Sequence, residues 1–225
     1  MVTRNFCLFC LGLTLFHAAG AVTEAQSPAT GIRRWSDAVE NRLVQAGTNR
    51  AEISQALAEV PAARRDGMAF LVENMPAADL LALPAEFLLE NLQLAYDGWE
   101  TAAWRASVTQ EKFFNDVLPY SCLNEARDPW RAQLREISLP LIAGCKTPGE
   151  AAQVLNQKLF SKLNVRYNTS RQRPDQSPRE TMQSGIATCT GLAILLVDAC
   201  RSVGIPARVA GTPMWSNLRG NHTWV

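Results

Sequence analysis

Along residues 32 to 145 the apolar side chains return every three or four positions. Ile32, Trp35, Val39, Leu43 and Ala46 fall on one helical face, and Ile53, Leu57 and Val60 continue the spacing until Pro61 interrupts it. The same spacing predicts helices over about 62–75, 85–97, 109–117 and 130–142, punctuated by Pro76, Pro84, Pro119 and Pro140. Strand-like alternation is absent, so this stretch reads as a helical packing and interaction domain over 32–145; no fixed-period repeat supports the alternative of a solenoid.

From residue 146 the pattern changes. The stretch "TPGE" at 147–150 places Thr at an N-cap, Pro at the first helical position and Glu three residues after the cap, an arrangement that satisfies free amides at a helix start. A helix to about Leu163 is expected, then a short strand in "NVRYNTS" and an exposed loop in "RQRPDQSPRE". That loop ends in a second cap, Ser177-Pro178-Arg179-Glu180, which opens a short helix stopped by Gly185. After Thr188 the positions Leu192, Leu195, Leu196, Ala199 and Val203 are filled in by Ala193, Ile194, Val197 and Cys200, so the helix is apolar on most of its surface and must be central. Gly204 suits the position just past its end, and Pro206 follows. "ARVAG" and "HTWV" read as strands joined by the loop "TPMWSNLRGN". The expected class is α+β, with helices first and a mixed unit over 146–225.

Composition and charge narrow the picture. The chain has 225 residues, 47% apolar and 19% charged, with a net charge of +1. No basic run interleaved with aromatics tracks a phosphate backbone, so nucleic acid is not an expected partner. Residues 1–21 carry Arg4, an apolar run from Phe6 to Phe16 and the small residues Ala19-Gly20-Ala21, the pattern of a cleaved secretory signal. Eleven apolar residues are too few to span a bilayer, which needs about 20. Cleavage is expected after Ala21, with a small polar linker over 22–31, a secreted or periplasmic product and no integral membrane segment. Cys7 and Cys10 would leave with the leader, and neither follows a lipobox. Losing Arg4 leaves 21 basic against 21 acidic residues.

Cys122, Cys145, Cys189 and Cys200 then remain. A thiol in the first turn of a helix meets free amides and the positive end of the dipole, which favour the thiolate. Cys189 holds that position. Gly185, Ala187, Thr188, Thr190 and Gly191 around it leave room for a carbonyl, and the cysteine's own amide can donate to an oxyanion. Cys200 reads as a buried, inert thiol about 16 Å further along the same helix, out of disulfide reach. Cys122 and Cys145 could pair or stay reduced. His222, 33 residues after Cys189, is the histidine left once the leader is removed, and a thiol with a distant histidine is the pattern of a nucleophile and its base. A single histidine and no closely spaced cysteine pair make no zinc site, and no metal or cofactor is expected.

"GIATCTGLAILLVDACRSVGIPARV" followed by "GNHTWV" resembles the core of the transglutaminase-like family, within the papain-like cysteine-enzyme superfamily, over about 146–225. "NDVLPYSCLNEARDPWR" and "DQSPRE" resemble segments that precede this core in secreted bacterial relatives. The resemblance implies that Cys189, on a helix N-terminus, attacks a peptide or protein amide. His222, on an antiparallel strand, takes and returns the proton. The acyl-enzyme then passes its acyl group to water or an amine. It also implies an aspartate on the following strand, expected beyond Val225 together with the rest of the core; neither Asp175 nor Asp198 is assigned that role. If that strand is absent, the protein would be inactive. Gln183, six residues before Cys189, is a candidate oxyanion donor by its papain-like spacing. Thr190, Trp215 and Asn221 are candidates for contact with substrate, Trp215 being equally a packing residue, while Trp224 is expected in the core. The competing expectation is a non-catalytic protein-interaction module that keeps the fold.

Overall fold

The computed structural model describes residues 35–217 and 220–225. The expected signal peptide and linker, with Ile32, lie outside these residues. Ten α-helices and four short strands occur among the described residues: α1 (Asp37–Gln45), α2 (Arg50–Glu59), α3 (Arg65–Asn74), α4 (Ala77–Leu80), α5 (Ala85–Glu100), α6 (Gln110–Asp116), α7 (Arg131–Leu141), α8 (Pro148–Lys162), β1 (Arg166–Tyr167), α9 (Pro178–Ser184), β2 (Ile186–Ala187), α10 (Cys189–Ser202), β3 (Ala210–Thr212) and β4 (His222–Trp224).

Local chemistry explains most helix starts. Ser36 accepts from the amide of Val39 to begin α1, and Thr109 accepts from that of Lys112 to begin α6. Both expected capping boxes form, Thr147 with Glu150 on α8 and Ser177 with Glu180 on α9. Pro76 and Pro84 stand immediately before α4 and α5, where a missing amide costs nothing. Pro140 does not break its helix. It lies inside α7, one residue from the end, and removes only the bond its amide would have given to Glu136.

Helix α10 is the axis of the core. It packs mainly on α7 and also meets α5, α8, α9 and β4, with Leu195, Val197 and Ala199 fully buried. One apolar core runs from Val39 to Ala207 across the connection at residues 145–146 where two domains were expected to meet, and residues 35–225 form one compact unit. Where α10 ends, Gly204 takes a φ of +75° and lies on the backbone of α5; a Cβ there would be 2.6 Å from the carbonyl oxygen of Gly98. The Gly204 carbonyl also accepts from the indole of Trp104 at 2.9 Å. Gly204→Ala is therefore expected to cost about 2–3 kcal/mol, from left-handed strain plus a backbone clash. Thermal unfolding checks this, and an unchanged melting temperature would contradict it.

The same interface holds two buried arginines. Arg131 of α7 is 2% exposed and donates to Asn91, to the carbonyls of Val117, Leu118 and Pro119, and to that of Arg201. Arg201 of α10 donates to the carbonyls of Asp116, Pro119, Ser121 and Ala207. Together they fasten the irregular segment 116–122 to the central helix.

The strands are shorter than the sequence suggests. β1 pairs in parallel with β2, which has no signal of its own in the sequence, and β3 pairs antiparallel with β4 in the register Ala210–Trp224, Gly211–Thr223, Thr212–His222. The strand expected at "ARVAG" starts only at Ala210, because the amide of Ala207 is already bonded to the carbonyl of Asp116 and Arg208 is paired with the Asp116 carboxylate. Among the described residues, no helix is long and apolar enough to cross a membrane.

Candidate active site

Cys189 is the first residue of α10, and its neighbour Thr188 is the N-cap. The thiol is half-buried and borders an open cleft of about 510 Å³ between α8 and α10, whose walls include Asn156, Phe160, Leu192, Leu196 and Trp224. β4 lies against α10, and the Thr223 hydroxyl meets that of Thr190 at 3.1 Å. The strand that carries His222 thus reaches the first turn of the helix that carries Cys189.

Within β4 the alternation of side chains separates His222 from Thr223. The imidazole stacks on Trp224 at 5.8 Å and on Trp215 at 6.0 Å between ring centres, an exposed aromatic ladder on the strand face opposite Thr223. Trp224 is 43% exposed, contrary to the expectation of a core residue, because it belongs to this ladder and to the rim of the cleft. Trp215 is 45% exposed. Among the described residues, no carboxylate is recorded in a hydrogen bond or ion pair with His222. Asn221 is exposed, and Gln183 lies exposed on α9 and does not border the cleft. Thr190 is thus the candidate contact residue found at the junction of helix and strand.

The other thiols are free as well. Burial raises the Cys200 pKa to about 12, so it is inert at neutral pH. Cys122 is also pushed well up, first by burial and then by Asp198, whose carboxylate oxygen is 3.6 Å from the sulfur. Asp198 is fully buried, with one oxygen lacking any partner; burial outweighs Arg201 and raises its pKa to about 8. It is a structural carboxyl on the far side of the helix's length from Cys189. Cys122, Glu125 and Asp198 lie close enough to share an ion. Their fit to one is poor: both Glu125 oxygens already accept the amides of Cys122 and Leu123, and the Arg201 guanidinium sits 3.7 Å from the Cys122 sulfur.

Sequence reasoning missed two residues behind Cys189. Arg171 donates from Nε to Thr188 Oγ1 at 2.9 Å, and fully buried Gln176 donates to Ser184 Oγ at 3.1 Å and to the Ile186 carbonyl at 3.2 Å. Both come from the irregular loop before α9, where no periodicity marks a position; the one available signal was a polar residue directly preceding the Ser177 cap.

Residues 135–225 match the family model of the transglutaminase-like superfamily. Over that span the chain is similar to the transglutaminase-like superfamily, and the match begins within α7. Searches of curated proteins and of solved structures find no significant match.

Proposed function

We propose that this protein is an exported thiol enzyme of the transglutaminase-like type, acting on peptide or protein amides. Cys189 attacks the carbonyl carbon, forming a C–S bond. His222 takes the thiol proton and delivers it to the leaving amine, and water or a second amine then releases the acyl group. The observation that carries this reading is the position of Cys189 as the first residue of a buried helix, at the edge of an open cleft that β4 also borders. For that step the imidazole must leave its stack on Trp215 and Trp224 and turn toward the first turn of α10, where Thr223 meets Thr190 in this structure. Thr190 and Trp224 flank the entering chain, and the neutral walls of the cleft suit an uncharged acyl donor.

The second reading is a protein-interaction module without catalysis, favoured by the outward stacking of His222 on Trp215 and Trp224. Iodoacetamide labelling with residue-by-residue mass mapping at pH 7.5 separates the two. Catalysis predicts Cys189 labelled at least about tenfold faster than Cys122 and Cys200, and a loss of about tenfold in that rate in His222→Ala. A Cys189 that resists labelling in the folded chain while labelling in denaturant would establish the interaction module instead.

A further inference from the structure

Four helices begin with a serine or threonine that caps them: Ser36, Thr109, Thr147 and Ser177 each accept from an amide of the first turn. Thr188 has the extended backbone of an N-cap, φ −93° and ψ −176°, yet its hydroxyl caps nothing. It is 7% exposed, so water does not replace the missing bond. The oxygen instead accepts from Arg171 Nε at 2.9 Å. Arg171 is itself fixed, with Nη1 on the carbonyl of Thr169, and its loop is anchored five residues on by the buried bonds of Gln176. Gln176 also lies over Gly191: a Cβ at 191 would be 3.5 Å from that of Gln176 and 3.0 Å from that of Ala187.

We propose that Arg171 is a positioning residue which, by holding the Thr188 hydroxyl, keeps the first-turn amides of α10 uncapped for the Cys189 sulfur. This rests on the thiol-enzyme reading above. A threonine hydroxyl left to itself takes an amide of the second or third helical residue, here Thr190 or Gly191. That bond would consume one of the first-turn amides that favour a thiolate at the helix start. The guanidinium diverts the hydroxyl and leaves those donors facing the site.

The test is an epistasis experiment on the full chain. Arg171→Ala frees the hydroxyl to cap, and the iodoacetamide rate at Cys189 should fall about three- to tenfold. Thr188→Val has no hydroxyl and should leave that rate within twofold of wild type. The double variant should recover at least half the wild-type rate, which a merely structural role for Arg171 would not produce. Amide hydrogen exchange gives a reading independent of thiol reactivity: exchange at Gly191 should slow several-fold in Arg171→Ala and return in the double variant. Should Arg171→Ala not fold, Arg171→Met keeps the side-chain stem and carries the same expectations. Unchanged exchange at Gly191, or no recovery in the double variant, overturns the proposal. Slowed exchange with a Cys189 inert in every variant would leave the proposal standing and remove the catalytic reading alone.

Discussion

Arg131→Ala is expected to cost about 3–5 kcal/mol, a large part of the roughly 5–15 kcal/mol that holds an ordinary domain folded. The physical reason is the number of groups that depend on one guanidinium. Removing it takes the guanidinium donors from the Val117 carbonyl and the Asn91 side-chain oxygen in a buried interface, and takes one of two donors from the carbonyls of Leu118, Pro119 and Arg201, which keep those of Asn91, Arg201 and Gly204. Burial and the neighbouring Arg201 both push the Arg131 pKa down, which is the cost the wild type carries for this arrangement. Lysine should not rescue, because an ammonium cannot reach five acceptors in a planar fork. Denaturant unfolding of the two variants measures the loss. A midpoint shift worth less than about 1 kcal/mol would mean that segment 116–122 is held by its apolar residues rather than by Arg131.

The second large effect follows from Asp198. Its pKa is raised to about 8, by burial first, with Arg201 and Arg131 opposing and Glu125 adding to the rise. Unfolding returns the carboxyl to about 4. Between these values the folded chain holds a proton that the unfolded chain has lost, so stability falls as pH rises from about 4 to 8 and changes little from this source beyond. The full span corresponds to about 5 kcal/mol. Asp198→Asn, whose side chain stays neutral throughout, should flatten that slope. Unfolding free energies at pH 5 and pH 8 for both proteins decide it: equal slopes would show that Asp198 is ionised in the fold, paired with Arg201 across their 4.0 Å separation.

Much of this was legible before any coordinates. Caps at Thr147 and Ser177 define α8 and α9, and the apolar run after Thr188 defines α10, because these signals are local and act within one helical turn. Gly204 ends α10 with the left-handed φ that its place in the sequence predicts. The strands were not legible in the same way. β2 is two residues long and exists because the carbonyls of Gly185 and Ala187 accept amides from the segment around β1, and "ARVAG" gives up half its length to Asp116, ninety-one residues earlier in the chain than Ala207.

The sequence alone determined the setting of Cys189, since a cysteine at the head of an apolar helix needs only periodicity to be recognised. The tertiary structure decided what surrounds it. Thr223 rather than His222 meets the first turn, Arg171 occupies the N-cap hydroxyl, and Arg131, Arg201 and Asp198 form a buried polar knot behind the helix. Each of these depends on side chains from separate segments meeting in space, and on which face of a three-residue strand points inward. No spacing along the chain encodes that choice, because a shift by one residue reverses it while leaving the hydrophobic pattern almost unchanged.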